Sequence, residues 1–322
     1  QIGKNDVALN LITKALKSKP VFAKAHSNLG NVLKKMGQLE RAVHHYHEAI
    51  AIEPDFAEAH SNLGLTLCEQ GQPKEAIDIC RKVITIKPDF LEAYCNFGVA
   101  LKDLGQLDEA LKSYSKAIQL KPDFAEAYYN RGNALRELGQ LDQAIQNYDR
   151  AIQLKPDYVE AYYNRAILVH QLERLDEAVE SYDKAIQLKP DYAEAYNNRG
   201  YALELASQLD KAMQNFDKAI QLKPDYPEAY SNRGVTLIEV GLLDEALTSF
   251  DKAIQLKPDF AETYSNRGDA LQGLGRLDEA VENYEKAIQL NPDYAEAYFN
   301  RGIAFQEPGQ LDEAVASYDK AI

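Results

Sequence analysis

The sequence predicts an all-α fold, a solenoid of stacked helix pairs, and three observations predict it. A proline recurs as Pro20, Pro54, Pro88, Pro122, Pro156, Pro190, Pro224, Pro258 and Pro292, each 34 residues from the next. Within each period the apolar residues fall on two helical stripes. A short turn of the Gly-Gln-Leu-Asp type, as at 139–142, separates the stripes. A fixed internal period of this kind overrides a reading by separate domains.

Numbering the repeat from Ala125 as slot 1 to Tyr158 as slot 34 gives each element its cause. Slots 4, 7, 8, 11 and 14 make the apolar stripe of a first helix, and slots 20, 21, 24, 27 and 28 that of a second. Asp123, just before the first helix, is placed to act as N-cap, with Glu126 completing a capping box. Gly139 follows the last apolar residue of that helix, where a left-handed residue suits glycine. Pro156 stands after the second helix because it cannot continue it. Small residues at slots 8, 20 and 27 allow close backbone approach while rings at slots 4 and 24 fill the space between. One such pair cannot bury its apolar faces alone, so neighbours must stack.

Read this way, residues 1–322 form a single solenoid: a half repeat over 1–22, eight full repeats over 23–294 and a truncated one over 295–322. With no initial Met and both ends inside helices, the chain is expected to be a fragment of a longer protein. Slot 7 is Leu29, Leu63 and Phe97 in the first three repeats and Arg131, Arg165, Arg199, Arg233, Arg267 and Arg301 thereafter, a subfamily change near residue 125. Ala166 in place of a slot-8 glycine, with Glu173 and Ser207 in place of turn glycines, predicts irregular pitch mid-chain. Pro73 is expected in a turn, Pro227 in a first helical turn, and Pro308 is expected to kink or shorten the last first helix.

The constant slots resemble the tetratricopeptide repeat: an aromatic or His at slot 4, Gly at 8, Ala at 20, an aromatic at 24, Ala at 27 and Pro at 32. The resemblance implies a right-handed superhelix whose first helices line a concave face and hold extended peptides. Slots 2, 6, 9 and 13, with 5 and 12 beside them, would then be the site.

Slot 6 is Asn in all nine repeats: Asn28, Asn62, Asn96, Asn130, Asn164, Asn198, Asn232, Asn266 and Asn300. Asn inside a helix is disfavoured against Ala by roughly 0.5–0.7 kcal/mol, so a column of them calls for a reason. A side-chain amide carries a donor and an acceptor, the complement of a peptide bond. The column can therefore grip a backbone without reading sequence; alternatively it is the common residue of recent duplicates, bonding locally. It is similar to the asparagine ladder of the O-linked N-acetylglucosamine transferases, which hold substrate polypeptides in such a superhelix. The stretch AHSNLGNVLKKMGQLERAVHHYHEAI is nearest to that family, and the later repeats resemble bacterial scaffolds. Two functions follow: a scaffold for an extended polypeptide, or the substrate-recruiting region of a glycosyltransferase whose catalytic domain lies outside this chain.

Slots 5 and 12 vary and would supply specificity, with Tyr129, Tyr163, Asn133, Arg136 and His170 expected to converge mid-groove, or else to sit on a solvated face. Slot 2 is Glu from Glu58 to Glu296, which serves capping boxes or, where free, favours basic or neutral peptides. Chaperone tails are not expected as ligands, because no slot 5 is Lys and no slot 6 is Arg. The Arg column lies on the core stripe, a place for an aliphatic stem with a snorkelling head; binding of anions is the other reading.

With 36 basic and 50 acidic side chains, net −14, nucleic acid is not an expected partner. No apolar run approaches the ~18 residues of a membrane span. Cys68, Cys80 and Cys95 are odd in number and lack CxxC spacing, which suits a reducing, cytoplasmic compartment. His44 and His47 have metal-compatible spacing, but no acidic or thiol partner is evident and no metal is expected. There is no phosphate loop, HExxH, nucleophile elbow or dinucleotide turn, so neither catalysis nor a cofactor is expected. Self-assembly through the ends is a further expectation.

Overall fold

The computed structural model describes residues 2–306 and 309–321, which hold 19 α-helices and no strand. Contacts group the chain into two compact units, residues 1–161 and 162–322. The first contains α1 (Ile2–Ser18), α2 (Ala23–Lys35), α3 (Leu39–Ile52), α4 (Ala57–Glu69), α5 (Pro73–Ile86), α6 (Leu91–Asp103), α7 (Leu107–Leu120), α8 (Ala125–Glu137) and α9 (Leu141–Leu154). Next comes α10 (Val159–Gln171), within which the border falls. The second continues with α11 (Leu175–Leu188), α12 (Ala193–Leu205), α13 (Leu209–Leu222), α14 (Pro227–Glu239), α15 (Leu243–Leu256), α16 (Ala261–Gly273), α17 (Leu277–Leu290), α18 (Ala295–Gln306) and α19 (Leu311–Ala321).

Each even-numbered helix is the first of a repeat and, α10 apart, packs on the second helix that follows; within each compact unit it also meets the next first helix. The core is the predicted one. Ala42, Tyr46 and Ala49, at slots 20, 24 and 27, are fully buried, as are Tyr114, Tyr148, Phe216, Phe250 and Tyr284 at slot 24. Burying one such ring contributes roughly 1.5–3 kcal/mol. The ring lies on the slot-8 glycine, so close that a Cβ on Gly132 would stand 2.7 Å from Tyr148 Cε1. Where slot 24 is Cys80, the facing Gly64 has more room.

Helix C-termini are as expected. Gly139 has φ 73°, its N–H bonds to the Arg136 carbonyl at 2.9 Å, and the Gln140 N–H reaches Leu135 at 2.9 Å. This pair of bonds satisfies two otherwise orphaned carbonyls. Glu173 and Ser207 adopt the same left-handed conformation, φ 57° and 56°. The substitutions are therefore absorbed as local backbone strain, of order 1–2 kcal/mol each. Helices α10 to α13 keep the 13- and 14-residue rhythm, so the expected mid-chain irregularity does not show in helix length or turn conformation.

Helix N-termini differ from expectation. The N-cap of α8 is Phe124, not Asp123, and no side chain bonds to the cap; Phe22, Phe56, Phe90, Tyr192, Tyr226 and Phe260 do likewise. The cause is the preceding Lys-Pro-Asp-Phe β-turn, closed by Phe124 N–H to Lys121 O at 3.2 Å. Proline suits the second position of that turn, which puts Asp123 on its exposed corner and the ring at the helix entrance. Pro73 is also displaced from expectation: it opens α5 at the first helical position, as Pro227 opens α14. Pro308 lies outside the described residues.

Candidate functional site: the first-helix face

The slot-6 asparagines sit beside the core stripe of the first helices, Asn28 exposed and the others half-buried. Several of them bridge neighbouring repeats. Asn96 Nδ2 donates to Ser61 O at 3.0 Å and Ser61 Oγ at 2.8 Å, Asn198 to the Tyr163 hydroxyl at 3.0 Å, and Asn232 to Asn197 Oδ1 at 3.1 Å. In each case the acceptor is slot 5 of the preceding repeat. Asn300 instead donates to Asp269 Oδ1, at slot 9, at 3.0 Å. Asn28, Asn62, Asn130 and Asn266 have no hydrogen-bond partner among the described residues. The column is thus partly a set of struts between first helices; the Asn198 carbonyl in addition accepts from Asn197 Nδ2 at 3.2 Å.

Slot 5 is less open than its variability suggested. Ser27, Ser61, Cys95, Asn197, Ser231 and Ser265 are all buried between helices. Of these, Ser61 and Asn197 receive the next repeat's amide, a role that spacing within one repeat does not reveal. Of the five residues expected mid-groove, Tyr129, Asn133 and Arg136 belong to the first compact unit and Tyr163 and His170 to the second. Tyr129 stacks with Tyr158 at 4.8 Å and Asn133 accepts the Tyr148 hydroxyl at 2.7 Å. Tyr163 stacks with Tyr192 at 4.7 Å, and His170 lies 5.3 Å from the Tyr201 ring. Burial holds the His170 pKa below its ordinary value.

In the first compact unit this face carries two adjoining grooves that share Phe124 and Glu126. One, of about 370 Å³, is lined by Asn62, Asn96, Leu65, Phe90 and the carboxylates of Glu58, Glu92 and Glu126. The other, about 490 Å³, lies among Tyr129, Tyr158, Lys155 and Glu160. Among the described residues no slot-2 glutamate is seen bonded to its N-cap N–H; Glu194, which accepts from its own backbone N–H, and Glu228 pair with Lys223 and Lys257 at 3.2 and 3.4 Å. Their counterparts Glu58, Glu92 and Glu126 form no ion pair among the described residues, which leaves the groove rim acidic.

Slot 12 faces slot 13 of the next repeat. Lys34 meets Glu69 at 3.0 Å and Lys102 meets Glu137 at 3.4 Å. In the second compact unit the same place holds two acids. Burial, and then the neighbouring Glu239, push the Glu204 carboxyl up to about 7, against a hydrogen bond from Thr236.

The Arg column is structural, with a pattern the sequence reading missed. Arg233 Nε bonds Asp217 at 2.7 Å, on the preceding repeat's second helix, and Nη1 bonds Ser249 at 2.7 Å, on its own. Arg267 does the same with Asp251 at 2.8 Å and Asn283 at 3.2 Å, and Arg199 with Asp183 and Asn215. Asn or Ser at slot 23 accompanies all six Arg, and an acid at slot 25 of the preceding repeat accompanies every one after Arg131, which has Ser115 there, a covariation visible in the sequence once slot 7 is chosen as the key.

Burial pushes the Cys68 and Cys80 thiols up to about 12, so both are poor nucleophiles. His26 and His45 approach at 3.1 Å, and His44 and His47 are exposed. Among the described residues no group of three His, Cys, Asp or Glu could hold a metal, and no helix is long and apolar enough to cross a membrane.

Comparison with known proteins agrees with this architecture. The family model described as TPR repeat matches residues 30–71, 98–136, 132–173, 168–207, 206–241, 237–275 and 273–309, and the model described as tetratricopeptide repeat matches 57–90. No curated protein matches. Among solved structures, YrrB, described as a TPR protein with an unusual peptide-binding site, shares 27% identity, covering 58% of this chain and 96% of its own at TM-score 0.50. The APC/C hetero-tetramer Cut9-Hcn1 shares 16% identity, covering 92% of this chain and 58% of its own at TM-score 0.63, a likeness of fold alone. The repeat models cover most of the sequence, and the chain belongs to the tetratricopeptide repeat family.

Proposed function

We propose that the chain holds an extended segment of a partner protein along its first-helix face, with the slot-6 asparagines contacting the segment's backbone. Tandem tetratricopeptide repeats are a protein-interaction scaffold, and the finer reading adds which surface binds and what it grips. The observation that carries it is Asn62: half-buried in the groove with Asn96, it has no hydrogen-bond partner of its own among the described residues. A helix-interior Asn that does nothing for its own fold is best explained by a ligand. Similarity to YrrB, whose description includes a peptide-binding site, supports the same use. The unpaired Glu58, Glu92 and Glu126 on the rim favour neutral or basic segments over acidic ones.

Asn62→Ala tests this cleanly because no internal bond is lost. Its thermal stability should stay within about 0.5 kcal/mol of the parent, or rise slightly from helix propensity. On an array of unrelated peptides its affinity should fall broadly, by roughly 3- to 10-fold for one or two lost hydrogen bonds. Affinity unchanged for every peptide would remove the ladder from the binding site.

A further inference from the structure

A second site lies on the other side of the helix pairs, where the third repeat breaks the arginine pattern. In later repeats the slot-7 guanidinium stands in the crevice between successive second helices, tied to slots 23 and 25, and beside Arg233 a hollow of about 550 Å³ remains with Asp251 on its edge. Here slot 7 is Phe97, slot 25 of the preceding repeat is Arg81, and slot 23 is Ser113. The polarity is reversed, with the aromatic on the first helix and the cation on the second. The cleft here, about 640 Å³ between α5 and α7, is floored by Phe97, Tyr94 and Ile84 on their half-buried sides, with the Arg81 guanidinium 5.8 Å from the Phe97 ring centre and no carboxylate at slot 25. Arg81, Lys112 and Lys116 stand around it, all exposed, against the single acid Glu109. None of the three cations forms an ion pair among the described residues.

We propose that this cleft docks an acidic peptide segment carrying an apolar anchor, a Phe or Leu flanked by Asp or Glu. The aromatic floor removes the anchor from water, and the three cations supply charges that no acid of the chain takes up. Net charge does not forbid this. At −14 the whole chain repels anions at long range, but the Debye length is about 8 Å at physiological salt, so the local trio decides. The cleft shares no lining residue with the grooves around Asn62 and Tyr129, and its occupancy is independent of theirs.

The probe is a fluorescein-labelled peptide with a Phe-Leu centre between Asp-Glu flanks, read by anisotropy on the full chain. One control replaces the centre by Ala-Ala and another replaces the flanks by Lys. The parent peptide should bind at least tenfold more tightly than either control, and its affinity should fall as salt rises. Phe97→Arg with Arg81→Asp gives the third repeat the residue set of the later ones and replaces the aromatic floor and one free cation by an internal ion pair, so binding should drop at least tenfold with helicity retained. Should that variant lose structure, Lys112→Glu with Lys116→Glu, both at exposed positions, reads the same loss. Equal binding of the Lys-flanked control, or full affinity in the folded variants, overturns the proposal. So does a concentration-dependent dimer that the Lys112→Glu, Lys116→Glu pair dissolves while the peptide fails to bind, since the occupant would then be a second copy.

Discussion

Glycine at slot 8 and the ring at slot 24 together set how closely the two helices of a repeat approach. A Cβ built on Gly268 would stand 2.5 Å from Tyr284 Cε1, inside any real contact distance. The fully buried ring has nowhere to retreat. Gly268→Ala gains up to ~1 kcal/mol of helix propensity and loses roughly 1–3 kcal/mol to overpacking. Urea denaturation should show a net loss of roughly 0–2 kcal/mol, and a rise in stability would contradict the packing argument. Ala166 is the natural exception: buried with Tyr182, it sits in a repeat where that ring's hydroxyl turns to Asn198 rather than to slot 9. A second single-residue effect concerns Glu204. Its folded pKa is raised to about 7 by burial and by Glu239. The folded state therefore binds the proton more tightly than the unfolded chain, and stability falls as pH rises between about 4.5 and about 7. Glu204→Gln should flatten this part of the pH profile and stabilise the protein at pH 8 by about 2 kcal/mol, leaving pH 4 little changed. An identical pH profile in the variant would show that Glu204 titrates normally.

Between elements, the arginine clamps of Arg199, Arg233 and Arg267 each join a first helix to two second helices. Their geometry suggests strength, but their exposure limits it. The Asp217 side chain is 57% exposed and that of Arg233 is 25% exposed, and ion pairs so placed are worth at most about 1 kcal/mol. Ser249, buried, keeps a second bond to Glu245 O at 3.1 Å when the guanidinium is removed. A double-mutant cycle on Arg233→Leu and Asp217→Ala should thus give a coupling below about 1 kcal/mol that shrinks further in salt; a coupling of several kcal/mol would make the clamp a main source of cohesion. The leucines at slot 7 of the early repeats agree with a modest role. The same comparison shows what was legible in the sequence. Helix pairs, turn glycines and the Ala and ring slots were readable because each follows from spacing within one repeat. Slot 34 as helix cap, the burial of slot 5, and the Asn and Arg partners were not, because each depends on which side chain of the neighbouring repeat arrives opposite. Asn96 reads as a ligand contact from its own helix and as a strut only once Ser61 stands 2.8 Å away.

Across a whole compact unit, stability is the sum of repeat terms and nearest-neighbour interfaces. In the second unit α14 and α15 touch only adjacent repeats. Excising residues 227–260, one full period, would join Tyr226 to Ala261 and present α16 with the surface that α14 meets now. The incoming contacts are matched. Arg267 would face Asp217 in place of Asp251, and Asn266 would inherit the Asn197 carbonyl that Asn232 uses now. Glu204 would face Gly273 at slot 13 rather than Glu239, which relieves the like-charge contact behind part of its raised pKa. The shortened chain should therefore keep its helicity per residue by circular dichroism, and its stability should depend less on pH between about 4.5 and about 7. Removing 227–243 instead takes out half a period and brings two second helices together without an intervening slot-8 glycine. That variant should lose cooperative unfolding, because the Phe250 ring then meets a side chain where it now meets the bare backbone of Gly234. If both excisions behaved alike, register would not matter and the repeat would not be the unit of folding.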